Sequence, residues 1–161
     1  MHLRIAVLLL ALTAGGCAVT PEAEERARKT EEDIASILSE PLDEEEYGKP
    51  KRCLSGNDYR DFEVLDDQRI VFEGRGDKLW LNQLRGRCPG LREGRVLRFR
   101  SSLELGRICD LDRFEVLDWV YLPRYQRWPW EWWQGVPCTL GEFQPVSEAQ
   151  LEAMREALRP R

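Results

Sequence analysis

The sequence predicts a mainly β domain, a small antiparallel barrel or sandwich held by two disulfides, with an N-terminal helical tether and a C-terminal helix. Three observations support this fold class. Apolar and polar residues alternate within 51–145, whereas 17–50 and 146–161 show helical spacing. Four cysteines follow Cys17, which lies at the end of an export-type leader. A chain of 161 residues is long enough for one such domain.

Residues 1–16 are expected to be a signal peptide. His2 and Arg4 give the chain a short positive start. The apolar run 5–12 that follows is too short to span a bilayer as a permanent helix. Small residues then lead to Cys17, an order that resembles a bacterial lipoprotein signal. Cleavage before Cys17 would leave it as the lipidated first residue. The alternatives are an ordinary secretory signal with an incidental cysteine, or an uncleaved anchor.

The lipoprotein interpretation also predicts a location. Ala18 follows the cysteine, and by resemblance to proteobacterial lipoproteins a residue other than Asp here implies sorting to the outer membrane, on its periplasmic face. More than one hydrocarbon chain on Cys17 suffices for stable attachment, whereas a single chain is marginal. The membrane is therefore the first expected partner. Nucleic acid is not an expected partner of an exported protein.

Residues 17–50 are expected to form an acidic, partly helical tether. The stretch 18–50 carries 11 acidic and 4 basic residues, a net charge of −7. Thr20 and Pro21 fit an N-cap and a first helical position, so a helix is predicted over about 21–38. Pro41 ends it, and the acidic run 43–46 follows. For this run, a solvated linker is favoured over an acidic docking segment.

The β domain is assigned to residues 51–145. Strand-like alternation occurs in five short runs separated by turn-forming residues. The runs are 61–64, 69–73, 79–82, 97–100 and 113–116. One apolar face per strand predicts an antiparallel meander that curls into a barrel or sandwich. Cys88, Pro89 and Gly90 predict a turn at the corner between the third and fourth runs.

Residues 146–161 are predicted to return to helix. Ser147 and Gln150 form a capping-box pattern. Leu151, Met154 and Leu158 share one stripe, so this helix is expected to pack on the domain.

The four cysteines beyond Cys17 are expected to form two disulfides, because their number is even and the chain is exported. They are Cys53, Cys88, Cys109 and Cys138. Of three possible pairings, Cys88–Cys109 with Cys53–Cys138 is favoured. The first bond would join the turns that flank one strand, and the second would close the two ends of the β region. A metal site of four thiolates is disfavoured, because no two cysteines are separated by two residues and the periplasm is oxidising.

Several reaction chemistries are excluded. The only histidine, His2, lies in the signal peptide, so the mature chain has no catalytic or metal-binding histidine. No phosphate-binding glycine loop is present, and no cofactor is expected. Two carboxylates could still cleave an envelope glycan, although acids in turns more often accept hydrogen bonds from nearby backbone N–H groups. The candidate acids are Asp66, Asp67, Asp110 and Asp112.

An arginine-rich segment is the first candidate binding surface. Residues 85–107 hold seven arginines against two glutamates. Arg98 and Arg100 share one face of a predicted strand and are candidates to bind an anion, such as a lipid phosphate or an acidic partner. Cross-strand ion pairs are the favoured alternative. Their acids would be Glu63, Glu73 and Glu115.

A tryptophan-rich segment is the second candidate. Residues 119–133 hold seven aromatic residues, and prolines at 123, 129 and 137 disfavour a helix. The functional interpretation is a platform for sugars or peptides, or a wedge at the membrane interface. The alternative is a loop that fills the open end of the barrel. The residues proposed for binding are Trp128, Trp130, Trp132 and Trp133.

Several pieces of the β region together resemble a known family. The most specific are Cys88-Pro89-Gly90-Leu91 and residues 138–143, with the pattern Cys-x-Leu-Gly-x-Phe. The sequence resembles, over about residues 50–145, an uncharacterised family of small proteobacterial four-cysteine lipoproteins, a domain of unknown function. Its members usually have a shorter, less aromatic segment between the third and fourth core cysteines, so the tryptophan-rich segment is a departure. The resemblance implies no activity.

The sequence thus favours a non-catalytic binding or structural module of the cell envelope, with an envelope protein or glycan as its partner. The alternative is a carboxylate-dependent enzyme that acts on envelope glycans. Two facing acids in a concave pocket would favour the enzyme. Acids confined to turns would favour the binding module.

Overall fold

The computed structural model describes residues 20–100, 106–117 and 136–159. The predicted signal peptide, Cys17 and the four tryptophans proposed for binding lie outside these residues, so their assignments stay predictions. Within the described part of the chain, no helix is both long enough and apolar enough to cross a membrane.

Three helices are described near the two ends of the chain. They are α1 (Pro21–Ser39), α2 (Glu44–Tyr47) and α3 (Glu148–Leu158). Thr20 caps α1, and proline lies in its first turn, as predicted. Ser147 and Gln150 form the predicted capping box of α3. Both long helices therefore begin where the local sequence signals place them.

Nine strands occur among the described residues, and all paired neighbours are antiparallel. They are β1 (Cys53–Ser55), β2 (Tyr59–Val64), β3 (Arg69–Gly74), β4 (Leu79–Gln83), β5 (Val96–Arg100), β6 (Arg107–Cys109), β7 (Arg113–Leu117), β8 (Val136–Thr139) and β9 (Phe143–Val146). The sheets have the orders β1-β6, β2-β3-β4-β9 and β5-β7-β8. The five predicted strands and the mainly β class are confirmed. The described pairings do not close the strands into a barrel.

The predicted meander holds only for β2, β3 and β4. β4 pairs with β9, and β5 belongs to the three-stranded sheet. The corner after β4 explains this, because the N–H groups of Leu84 and Cys88 donate to the carbonyls of Gln68 and Asp67, at 2.9 and 2.7 Å. These bonds hold the corner against the β2–β3 turn. The chain then continues into the other sheet, so the corner is a crossover instead of a hairpin.

The corner contains the turn that the sequence predicts. The N–H of Leu91 donates to the carbonyl of Cys88 at 3.1 Å, and Gly90 has a φ of 83°. Pro89 followed by a residue with positive φ is the arrangement of a type II turn. Cys88 and Leu91 are both buried, so both ends of the turn are anchored in the core.

The four-stranded sheet is covered on both faces. In β3, Ile70, Val71 and Phe72 are all fully buried, whereas the sequence pattern predicted only one buried face. Toward the three-stranded sheet, the rings of Phe72 and Phe99 lie 6.0 Å apart between centroids. Toward α1 and α3, a second apolar cluster forms. Its buried members are Ile34, Val71, Leu81, Val146, Leu151 and Met154.

The second half of α1 is packed onto the domain. Ile34 is 2% exposed and lies in the same cluster as Val71. The Gln150 amide donates to the carbonyls of Ile37 and Glu40, at 3.0 and 3.2 Å. The apolar i, i+3, i+4 pattern that begins at Ile34 is the reason, since it covers the outer face of the sheet. This part of the expected tether is therefore a layer of the fold.

The structure overturns the favoured disulfide pairing. Cys53 bonds to Cys109 and Cys88 bonds to Cys138, so the pairing Cys88–Cys109 with Cys53–Cys138 is wrong. Strand register explains the first bond, because Cys53 and Cys109 are direct partners in the β1–β6 ladder, with Cα atoms 4.0 Å apart. The second bond ties the corner after β4 to β8. The prediction of two disulfides is confirmed, and the four-thiolate metal site is excluded.

Candidate binding face

The outer face of the three-stranded sheet carries both arginines proposed for binding. Alternation along β5 turns Leu97 and Phe99 toward the core, and it turns Arg98 and Arg100 to the other side. The side chains of Arg98 and Arg100 are 38% and 48% exposed. We call this surface the arginine face. It consists of Arg98, Arg100, Arg113 and Glu115.

Both proposed arginines bind the carboxylate of Glu115. The register of β5 and β7 places Arg98 directly opposite Glu115. Arg98 donates to Oε2 through Nη2 and through Nε, the latter at 3.1 Å, and Nε of Arg100 lies 2.7 Å from Oε1. The favoured cross-strand pairing is therefore confirmed at Glu115. Glu63 pairs instead with Arg155 of α3, at 2.6 Å.

The arginines keep Glu115 ionised. The hydrogen bond from Arg98 is the largest influence and lowers the pKa of Glu115; burial opposes it, and the hydrogen bond from Arg100 lowers the pKa further. Glu115 is only 8% exposed. A carboxylate with a lowered pKa is poorly suited to act as a general acid at neutral pH. Its role here is to position two guanidinium groups.

Arg113 is the member of the arginine face that sequence inspection missed. It is exposed and lies directly opposite Arg100 in the β5–β7 ladder. Like charges in directly opposite positions repel each other, so an anion close to both would be stabilised. The sequence contains no local signal for this neighbour, because only the strand register brings the two arginines together.

The tryptophan-rich segment is connected to the same sheet. Residues 118–135 join β7 to β8, and both strands belong to the three-stranded sheet. Val96 pairs with Leu117, the last residue of β7, and is 42% exposed. The four proposed tryptophans lie outside the described residues.

Asp66 and Asp67, two of the acids considered for glycan cleavage, belong to an ion-pair cluster beside α1. Asp66 lies 2.6 Å from Nη1 of Arg69, and Asp67 lies 2.9 Å from Nη1 of Arg87. Arg69 is 1% exposed and also pairs with Glu31 of α1. Burial lowers the pKa of Arg69, but hydrogen bonds and charges from Glu31 and Asp66 outweigh it, and the net pKa is raised. The cluster fastens α1 to the sheet.

Asp110 and Asp112, the other two acids, lie in the turn between β6 and β7. Asp110 accepts hydrogen bonds from Nη2 and Nε of Arg85, at 2.8 and 3.2 Å. Asp112 is buried and accepts a bond from the Cys109 N–H at 2.8 Å. Acids in such turns accept hydrogen bonds from nearby donors. A cavity of about 390 Å³ lies between α1 and α3, and none of the four candidate acids lines it. Among the described residues, no group of three His, Cys, Asp or Glu side chains is placed to hold a metal ion.

Comparison with known proteins gives one match. No curated protein and no solved structure matches the chain. A family model described as "Family of unknown function (DUF6491)" matches residues 1–161. The resemblance noted in the sequence covered about residues 50–145, so the match also takes in both helical ends. The chain therefore belongs to this family of unknown function.

Proposed function

We propose that the protein is a non-catalytic binding module of the cell envelope, held by lipid on Cys17 at the periplasmic face of the outer membrane. The two disulfides support an oxidising compartment. The apolar leader and the small residues before Cys17 support lipidation. The partner is an acidic protein or glycan of the envelope, and it contacts the arginine face and the tryptophan-rich segment.

The observation that carries the proposal is the convergence of two half-exposed arginines on one largely buried carboxylate. Glu115 holds both guanidinium groups on a strand pair, and Arg113 adds a further positive charge beside Arg100. Side chains ordered before binding lose less conformational freedom when they bind. Guanidinium groups recognise carboxylate and phosphate through paired hydrogen bonds. An acidic partner fits this surface.

The contacts of the four candidate acids also favour a binding role over a catalytic one. Asp66, Asp67 and Asp110 pair with arginines, and Asp112 accepts a backbone hydrogen bond. A glycosidase needs two carboxyl groups on opposite sides of one sugar bond. The contacts of these acids are those of turns and ion pairs, so the enzyme alternative gains nothing from them.

Affinity capture from envelope extract tests the binding proposal. The intact protein is compared with Arg98→Gln/Arg100→Gln and with a variant in which the four proposed tryptophans are alanine. Arg75→Gln/Arg92→Gln is the matched control, since it removes two exposed arginines outside the arginine face. We expect the control to retain the partner, and the first variant to lose at least about tenfold in affinity, since each charged hydrogen bond contributes about 1.5–3 kcal/mol. Identical partner lists for all four proteins would refute the proposal.

Mass spectrometry of the purified protein tests the anchor. Processing and lipidation should give a mature chain that begins at Cys17 and carries a diacylglyceryl group and an acyl chain. Inhibition of lipoprotein signal processing should cause the precursor to accumulate, and Cys17→Ser should abolish the lipid. An unmodified Cys17 in the mature protein would remove the anchor from the proposal.

A further inference from the structure

A row of three polar side chains crosses the outer face of the three-stranded sheet. Arg100 of β5 lies directly opposite Arg113 of β7, which lies directly opposite Thr139 of β8. Residues directly opposite each other in an antiparallel pair point to the same face, with Cβ atoms about 5 Å apart. Phe114 and Cys138 belong to the core, so the residues beside them in the chain point outward. Two guanidinium groups and one hydroxyl group therefore share one strip of surface, which we call the cross-sheet row.

The surrounding structure holds the cross-sheet row in place. Arg113 lies on β7, the central strand, which is paired on both sides. Nε of Arg100 lies 2.7 Å from Oε1 of Glu115, a carboxylate that is itself largely buried. The carbonyl of Thr139 accepts a hydrogen bond from the Arg85 N–H at 3.1 Å. An anion would therefore meet groups that are already ordered, which lowers the entropic cost of binding.

The charge of the arginine face matches a doubly charged anion. The face holds three arginines and one glutamate, a net charge of +2. Within the part of the chain that the structure describes, its ion pairs join Glu115 to Arg98 and Arg100, and none of them involves Arg113. A phosphate monoester carries about −1.5 to −2 charges at neutral pH, whereas a carboxylate carries a single negative charge. A phosphate monoester therefore neutralises this face, and a carboxylate leaves about half of its charge uncompensated.

The donors of the cross-sheet row also match a phosphate group. A carboxylate has two oxygens in one plane, and a single guanidinium group can bind both of them. A phosphate monoester has three acceptor oxygens that point in different directions, so it is best bound by several groups around it. Arg113 lies between a second guanidinium group, from β5, and the Thr139 hydroxyl, from β8. Such a row offers donors to more than one oxygen of the same phosphate group.

We propose that the cross-sheet row of Arg100, Arg113 and Thr139 binds the phosphate group of a phosphorylated glycan. This inference rests on the proposed binding function and narrows its partner from an acidic protein or glycan to a glycan with a phosphate monoester. The ionised groups of acidic side chains are carboxylates, so an acidic protein matches the row less well. Glu115 keeps its positioning role, because it holds Arg100 beside Arg113.

A titration of the isotope-labelled, full-length mature protein in uncharged detergent tests the inference, at low salt and a pH of about 7.5, where the phosphate is doubly charged. The two probes are glucose 6-phosphate and glucuronate, which carry a phosphate monoester and a carboxylate at the same position of one sugar. Amide chemical shifts of Arg113 and Thr139 report binding. The variants are Arg113→Gln and Thr139→Val, which removes the hydroxyl and keeps the shape. Arg92→Gln is the matched control, since it removes an exposed arginine outside the row.

We expect wild type to bind glucose 6-phosphate at least about tenfold more tightly than glucuronate. Arg113→Gln should weaken the binding of glucose 6-phosphate at least about tenfold, and Thr139→Val about two- to tenfold, because each removes a hydrogen bond to a charged group. Arg92→Gln should bind as wild type does. Equal affinities of wild type for the two probes would overturn the phosphate inference, and so would an Arg113→Gln protein that binds glucose 6-phosphate normally.

The envelope capture separates this inference from the proposed function. If neither sugar binds but Arg98→Gln/Arg100→Gln loses its envelope partner, the phosphate inference is overturned and the binding module stands. If the partner list is unchanged in that variant and in the tryptophan variant, the proposed function is overturned, and the inference with it.

Discussion

Gly141 lies where two chain segments approach too closely for any side chain. A Cβ built on Gly141 overlaps the carbonyl oxygen of Gln83 by more than about 1 Å and sits 3.2 Å from its carbonyl carbon. The side chain of Asn82 accepts a hydrogen bond from the Gly141 N–H at 2.9 Å and donates to the Gly141 carbonyl at 2.7 Å. Asn82 is fully buried. Gly141→Ala must therefore push the chain away from β4 and disturb both bonds.

The loss of stability in Gly141→Ala can be estimated from these contacts. Overpacking against backbone costs about 1–3 kcal/mol, since backbone cannot rotate away as a side chain can. A buried amide that loses its partners costs about 1–3 kcal/mol more. We expect Gly141→Ala to lower the free energy of unfolding by about 4 kcal/mol, which for a chain of this size lowers Tm by about 10 °C.

Thermal and urea unfolding of the oxidised protein measure the effect. Gly86→Ala is the matched control, because a Cβ there would meet nothing within 4 Å and Gly86 has no positive φ. Its Tm should stay within about 2 °C of wild type. A Gly141→Ala protein that unfolds with the control would refute the argument from close approach. It would also leave the glycine of the Cys-x-Leu-Gly-x-Phe pattern without a physical reason.

Three further predictions concern the disulfides, the arginine face and the α1 contact. Cys53→Ala/Cys109→Ala opens a loop closed over a separation of 56 residues and should cost about 4 kcal/mol of unfolding free energy; non-reducing peptide mapping should still show the second disulfide, and a reshuffled bond would contradict the assigned pairing. The pKa of Glu115 is lowered, so its ion pairs stabilise the fold above pH 4.5, the ordinary pKa, and this contribution is lost as pH falls through the folded-state pKa. In urea unfolding from pH 7 to 3, the free energy of unfolding should therefore decline more steeply for wild type than for Glu115→Gln. Parallel curves would disprove the stabilising role of the Glu115 ion pairs. Glu31→Gln leaves the buried Arg69 with one carboxylate fewer, so it should lower the free energy of unfolding by about 1–2 kcal/mol and speed amide hydrogen exchange in α1. The control Arg28→Gln breaks only exposed pairs and should change the free energy of unfolding by less than about 0.5 kcal/mol. Equal exchange rates in both variants would contradict the docking role of Glu31.

Local signals predicted the elements that depend on neighbouring residues. Thr20 and Ser147 start helices because their side chains accept bonds from N–H groups within the next turn. Pro89 and Gly90 form a turn because their own φ angles favour it. The alternation of Phe62 and Val64 with polar residues predicted a strand for the same reason, since side chains on a strand alternate between faces.

Long-range pairing was not predictable in this way. Arg69 alternates with the apolar residues Ile70 and Phe72, yet its side chain is buried because Glu31 and Asp66 neutralise it beneath α1. The acidic partner of Arg98 and Arg100 could be narrowed to three glutamates, and the β5–β7 register selected Glu115. The presence of Arg113 beside Arg100 had no sequence signal at all.

Sequence patterns alone predicted a mainly β domain between helical ends and two disulfides, and both are confirmed. They also predicted a leader that ends near Cys17, which stays a prediction. Three-dimensional packing was needed to establish that β4 pairs with β9, that Cys53 bonds to Cys109, and that the second half of α1 is a layer of the domain. The two sets of features differ in how far apart along the chain the interacting residues lie. Caps, turns and alternation depend on contacts within a few residues, whereas pairing and disulfide partners depend on how distant apolar faces pack together.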